Sequence, residues 1–215
     1  MKLDNTELNR RKMQVATCTV QTNAFIHFTI SAILTTNHFF FMSLFHYVFD
    51  KLYPLIRFIY EQAQGNRWYD QITDKIWLGG APTYARDYDF LIANKIGAVV
   101  DIRNERSDDL ALYKRHDIRH LKLRVPDIHV PSDEVITAGV DYIQEQVEDG
   151  RSVYIHCAKG RGRSATLIAG WLMKYQSMTF EEARDFMVSK RKLVKLEPRH
   201  GETLKLWHES TNYHK

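Results

Sequence analysis

Val153–Tyr154–Ile155–His156–Cys157–Ala158–Lys159–Gly160–Arg161–Gly162–Arg163–Ser164 is the stretch whose reading decides this chain. Val153–Ile155 is a short apolar run that reads as a strand, and Ser164 to Tyr175 is apolar on nearly every side, as in a helix buried in a core. The nine residues from His156 to Ser164 therefore link a strand end to a helix N-terminus, where free backbone N–H groups and the helix dipole favour an anion. Gly160 and Gly162 let the loop curl so that successive N–H groups converge on one point. The same groups depress the pKa expected of Cys157 and make it a thiolate near neutral pH. Arg163 supplies a planar fork that holds two oxygens of a phosphate at once. The stretch spells a cradle for a phosphate dianion.

His156, Cys157, Arg163 and Ser164 match the pattern His-Cys-x5-Arg-Ser/Thr, and the loop resembles the active-site signature of the protein tyrosine phosphatase superfamily, dual-specificity branch. The resemblance implies a Cys-based phosphatase fold and a two-step phosphomonoester hydrolysis without metal or other cofactor. Cys157 would attack phosphorus and form a phosphocysteine. Arg163 and the amides of Ala158, Lys159, Gly160, Arg161 and Gly162 would hold the equatorial oxygens. Ser164 would hydrogen-bond the sulfur and help it leave. His156 would orient and polarise the loop rather than act as a base.

This chemistry needs an acid for the departing alkoxide, which the superfamily places on a loop upstream of the cysteine. Asp127 fits by position, in Val125–Pro126–Asp127–Ile128–His129–Val130–Pro131–Ser132, with His129 as the alternative. Pro126 and Pro131 bracket the segment and limit its conformations. Ser132 is expected to cap the following helix, with Asp133 and Glu134 in its first turn.

From about Trp68 onward the chain is similar to the mitochondrial-type phosphatidylglycerophosphate phosphatases. The likeness is carried by Trp68–Tyr69–Asp70–Gln71–Ile72, Ile76–Trp77–Leu78–Gly79–Gly80–Ala81–Pro82, Asn104–Glu105 and Gly160 to Thr166. One departure is visible: that family commonly has lysine directly after the cysteine, where this chain has Ala158, with Lys159 one step later. The resemblance implies a phosphorylated lipid as substrate and a catalytic domain at a membrane. That membrane would be the mitochondrial inner membrane in a eukaryote, or the cytoplasmic face of the inner membrane in a bacterium. Lys159 and Arg161 put extra positive charge beside the phosphate site, which suits an acidic headgroup.

The 215 residues, 44% hydrophobic, suit one ordinary domain plus an appendage. Cys18 and Cys157 make no disulfide framework, and a thiolate nucleophile requires a reducing compartment. A net charge of +4 suits anionic substrates or an anionic membrane surface. Nucleic acid is excluded as a partner, because the chain carries no binding motif and no dense basic stripe.

Between Lys12 and Asp50 there is no Lys, Arg, Asp or Glu. That run exceeds the roughly 20 residues needed to cross a bilayer, but Thr35–Thr36–Asn37–His38 interrupts it and argues against a simple spanning helix. From Phe45 to Tyr60 the polar positions Asp50, Pro54, Arg57 and Glu61 share one face and the apolar residues fill the rest, the pattern of an interfacial helix. Residues 1–65 are thus expected to be an apolar, helical, membrane-associating extension ending in the linker Gln62–Asn66, and residues 66–215 the catalytic domain.

In that domain strands are expected at 76–78, 98–102, 118–125 and 153–156, and helices at 83–94, 108–115, 132–149, 164–175, 179–191 and 199–210. Thr179 with Glu182 forms a capping box. The alternation defines an α/β domain with a central sheet flanked by helices. Two enzymatic readings follow: a phospholipid phosphatase, or a phosphatase of phosphotyrosine and phosphoserine/threonine in proteins. A non-catalytic phosphate-binding module would have lost Cys157, Arg163 or Asp127. A rhodanese-like sulfurtransferase uses a similar strand–Cys-loop–helix, with a shorter loop and no role for the upstream aspartate.

Overall fold

The computed structural model describes residues 67–212, with Arg57–Ile59, Glu61 and Gly65 before them. The chain divides into two units, Met1–Gln64 and Gly65–Lys215. The expected membrane-associating extension, with Cys18, lies outside the described residues apart from those few positions.

The second unit is a five-stranded sheet with helices on both faces. Its strands are β1 (Tyr69–Gln71), β2 (Ile76–Gly80), β3 (Ile96–Arg103), β4 (Arg119–Val125) and β5 (Ser152–Cys157). The described helices are α1 (Ala85–Ala93), α2 (Leu110–Arg115), α3 (Asp133–Glu148), α4 (Arg163–Tyr175), α5 (Phe180–Lys190) and α6 (Pro198–Asn212). The strand order is β1-β2-β5-β3-β4. Only β1 pairs antiparallel, with β2; the other pairings are parallel.

This order puts β5 in the middle, inserted between β2 and β3. In an open parallel sheet the crevice at the carboxyl ends of the strands, where strand order reverses, is where ligands bind. The loop after Cys157 emerges at that place. Alternation along β3 divides the core: Ala98, Val100 and Ile102 pack with α3, α4 and α5 residues on one face, and Val99 packs with Leu91, Tyr113, Ile118 and Tyr154 on the other. Along α4 every residue from Arg163 to Met173 is buried. Each large apolar side chain so buried contributes about 1.5–3 kcal/mol, so the helix that carries the loop is firmly held.

The strands and helices expected in this domain all form, with no boundary moved by more than two residues. β1 was not expected; three residues carry too little pattern, and its pairing with β2 forms it. The Thr179 capping box is present in both directions, with Glu182 N–H donating to Thr179 Oγ1 at 3.2 Å and Thr179 N–H to Glu182 Oε2 at 2.8 Å. Ser132 occupies the N-cap of α3 in extended conformation, but its side chain makes no capping hydrogen bond. The Ser132 hydroxyl and the local backbone hold the Glu134 carboxyl below its usual range.

Candidate active site

Cys157 closes β5, opposite Gly80 of β2, and its thiol is buried. Ser164 in the first turn of α4 donates from Oγ to Cys157 Sγ at 3.3 Å. Burial alone would push the thiol up. The Arg163 charge, the Ser164 hydroxyl and the backbone N–H groups of Ser164 and Arg161 outweigh it and hold the thiol below its ordinary value.

The loop from Ala158 to Gly162 wraps the mouth of a pocket of about 230 Å³. Ala158, Lys159, Arg161, Gly162 and Arg163 line it together with Cys157. The two glycines differ. Gly160 has φ +63°, and a Cβ there would lie 2.2 Å from the Gly79 carbonyl oxygen, so only glycine fits. Gly162 has φ −113° as the N-cap of α4, where a Cβ would meet nothing closer than 3.6 Å. The curl expected of both glycines comes from Gly160 alone. Gly160 does not line the pocket, so its part is to shape the loop.

Arg163 is buried, and its guanidinium makes a bidentate pair with Glu105, Nη1 to Oε2 at 2.9 Å and Nη2 to Oε1 at 2.8 Å. Nη1 also donates to the Val125 carbonyl at 2.8 Å, and Nη2 lies 2.9 Å from Asp127 Oδ1. Asp127 is thus at the pocket, on a turn where its side chain is 71% exposed. Its neighbour Ile128 has φ +61° and is 75% exposed. A β-branched residue in the left-handed region is a strained outlier. His129 also lines the pocket, with Nδ1 2.9 Å from the Asp127 carbonyl.

His156 does not join the residues around the pocket. It is fully buried behind the loop and does not line the pocket. Its Nε2 hydrogen bonds to Asp108 Oδ2 at 2.8 Å, and its ring stacks on Tyr154. Asp108 also accepts from Tyr113 Oη at 2.9 Å and pairs with Arg103, which bridges to Asp101. Lys122 reaches Asp101 at 2.6 Å. Burial would raise the Asp108 carboxyl, but His156, Arg103 and the Tyr113 hydroxyl hold it well below the usual range. Ligand atoms of Asp101, Asp108 and His120 lie within 4.8 Å of one another. With Arg103 and Lys122 already on the two carboxylates, that trio is an ion-pair cluster rather than a metal site.

A brace behind the loop was not anticipated. Arg191, at the C-cap of α5, is buried and donates from Nε to the Gly160 carbonyl (3.0 Å) and from Nη2 to the Lys159 carbonyl (3.0 Å). Its Nη1 reaches Asp70 Oδ2 at 2.6 Å and the Arg67 carbonyl at 3.1 Å. Sequence reading also gave no role to Glu105 or to the pocket residues Lys195, Glu197, Arg199 and His200. The available signals were the Asn104–Glu105 pair just after β3, and basic residues clustered where a helix begins.

A buried thiol with a depressed pKa, a guanidinium beside it and a carboxylate within reach define a site for nucleophilic attack on a phosphoryl group. The family model of the dual specificity phosphatase catalytic domain matches residues 76–210. The chain belongs to that family. Among curated proteins it is similar to phosphatidylglycerophosphate phosphatase PTPMT2 of Arabidopsis thaliana, 33% identical over 151 residues, covering 68% of this chain and 64% of the relative. It is also similar to phosphatidylglycerophosphate phosphatase PTPMT1 of the same plant, 34% identical over 134 residues, covering 60% and 39%. The match therefore spans less than two thirds of either relative's length. Among solved structures, PTPMT1 in complex with PI(5)P superposes with a TM-score of 0.64 at 24% identity, over 69% of this chain and 99% of that one; the likeness is one of fold.

Proposed function

We propose that the protein is a Cys-dependent phosphomonoester hydrolase acting on a membrane phospholipid phosphate such as phosphatidylglycerophosphate. The observation that carries the reading is the convergence of Cys157, Arg163 and Asp127 on one pocket, with Ser164 bonded to the sulfur from behind and the thiol held toward its ionised form.

In the first step the Cys157 thiolate forms an S–P bond as the ester P–O bond breaks. Asp127, in its acid form, gives its proton to the leaving alkoxide. Arg163 and the loop N–H groups hold the equatorial oxygens, where transition-state charge accumulates. In the second step water attacks phosphorus, the Asp127 carboxylate takes its proton, and the S–P bond breaks. Sulfur then leaves as a thiolate, stabilised by Arg163 and the Ser164 hydroxyl. The Glu105 pair sets the plane of the Arg163 fork, and His156 with Asp108 holds the end of β5 from behind.

The lipid substrate is supported by the names of the curated relatives and by Lys159 and Arg161 at the pocket. Attachment to a membrane surface, mitochondrial in a eukaryote, is part of the same proposal and rests on the apolar sequence before residue 61. Among the described residues no helix is long and apolar enough to cross a membrane. Phosphate release from vesicles containing phosphatidylglycerophosphate, measured beside phosphotyrosine and phosphothreonine peptides at equal concentration, tests the substrate. The reading expects the lipid to have the higher kcat/KM. Faster turnover of the peptides would make the protein-phosphatase reading the correct one.

A further inference from the structure

The pocket has a second wall that the phosphate loop does not supply. Lys195, Glu197, Arg199 and His200 come from the stretch between α5 and α6 and the first turn of α6. Backbone hydrogen bonding ties this stretch to the loop. Lys195 N–H donates to the Arg161 carbonyl at 2.9 Å, and Arg161 Nε donates to the Leu193 carbonyl at 3.3 Å. The Glu197 carboxylate pairs with both Lys195 (3.2 Å) and Arg199 (2.9 Å). One carboxylate holding two cations leaves the wall net positive, and Lys159 and Arg161, which also line the pocket, add to that charge.

His200 is the independent sign of a ligand. It is 4% exposed, and its Nδ1 accepts the Glu197 backbone N–H at 3.0 Å. Burial pulls its pKa below the ordinary value, so the ring is neutral at pH 7 and its proton sits on Nε2. That Nε2–H is on the side facing Gly162, 3.6 Å from where a Cβ of that residue would be. Among the described residues nothing accepts it. The ring is almost wholly buried and lines the pocket, so the one N–H it leaves open is placed to donate to an acceptor that enters there.

We propose that Lys195, Arg199 and His200 bind a second phosphate of the substrate, the phosphodiester one glycerol away from the scissile monoester in a phosphatidylglycerophosphate-type lipid. The inference rests on the phosphatase reading above and assigns the part of the substrate that the loop leaves unread. The monoester dianion uses the loop N–H groups and the Arg163 fork. A phosphodiester carries one negative charge on two free oxygens, which suits a surface cation and a neutral N–H placed side by side.

The deacylated headgroup, glycerophosphoglycerol phosphate, and glycerol 3-phosphate share the scissile monoester and differ in the diester. Their kcat/KM values are measured with the full chain, together with p-nitrophenyl phosphate. The headgroup is expected to be favoured by about tenfold or more, as one or two charge-assisted hydrogen bonds provide. The surface double variant Lys195→Glu with Arg199→Glu should bring that ratio down by about tenfold, and His200→Asn should lower it too. His200→Gln, whose amide N–H reaches the place of Nε2–H, should keep most of it. A native ratio near one, or a ratio unmoved by the double variant, would overturn the proposal while the phosphatase reading stands. Hydrolysis of p-nitrophenyl phosphate with none of the headgroup counts the same way. Hydrolysis of none of the three would overturn the phosphatase reading itself.

Discussion

Cys157, Arg163 and Ser164 lie within eight residues of one another, and their arrangement was legible because the loop that joins them fixes their relation. Cys157→Ser is expected to abolish turnover while phosphate or vanadate still binds, because a hydroxyl is far less acidic than a thiol. Arg163→Lys should cost nearly as much despite keeping the charge, since both the phosphate fork and the bidentate bond to Glu105 are lost. Steady-state kinetics with p-nitrophenyl phosphate checks both. The Cys157 pKa is lowered in the fold, so the rate of alkylation by iodoacetamide should reach half its plateau below the ordinary thiol pKa of about 8.5. Arg163→Lys should shift that midpoint. Asp127→Asn should lower turnover of alkyl phosphates by about a hundredfold or more. Nitrophenolate, which needs little protonation, should lose less. Equal losses would remove Asp127 from the acid role and bring His129 forward. Glu105 and Arg191 were not legible, because they meet the loop from 58 and 31 residues away and look in sequence like ordinary surface charges.

At the scale of elements, the strand–loop–helix unit of β5 and α4 follows from an apolar strand, an apolar helix and one left-handed glycine. Gly160→Ala meets both a positive φ and the Gly79 carbonyl, so it is expected to destabilise by at least about 1–3 kcal/mol and to displace the loop. Chemical denaturation alongside phosphate affinity measures the two effects. Thr179→Ala, which removes the α5 cap but no side chain that lines the pocket, should cost only about 1 kcal/mol and leave kcat/KM unchanged. The Asp101–Arg103–Asp108–His156 cluster predicts a pH dependence. Asp108 is depressed in the fold, so its contribution is full above the unfolded carboxylate pKa of about 3.9 and is lost as pH falls further through the folded value. Asp108→Asn should therefore lower the melting temperature at pH 7 and flatten its decline below about pH 4. This cluster was hidden in sequence because its members sit on β3, β5 and the turn before α2, and only the parallel pairing that sets Asp101 opposite His156 brings them together. The α3 cap is only half made: Ser132 has the right backbone, but its side chain makes no capping hydrogen bond.

For the whole molecule, the sheet order matters most, because inserting β5 between β2 and β3 delivers the cysteine loop to the centre of the sheet's carboxyl edge. The alternation of strands and helices showed an α/β domain, whereas the position of β5 in the order depends on long-range pairing that no local pattern carries. The first 64 residues form the other unit, and their charge-free run predicts an anchor. If they hold the enzyme on a bilayer, Phe49→Glu with Ile56→Glu in the full chain should abolish sedimentation with anionic liposomes and lower lipid turnover, with p-nitrophenyl phosphate hydrolysis unaffected. A fall in melting temperature with parallel loss on both substrates would mean that these residues pack against protein instead.

The central claim, that Cys157 carries the phosphoryl group between the two steps, is tested most directly by trapping it. Slowing the second step with Asp127→Asn, mixing with p-nitrophenyl phosphate, quenching in acid and analysing the peptides by mass spectrometry should show one phosphoryl group on the peptide containing Cys157. Release of phosphate with that peptide unmodified, or with the group on another residue, would contradict it.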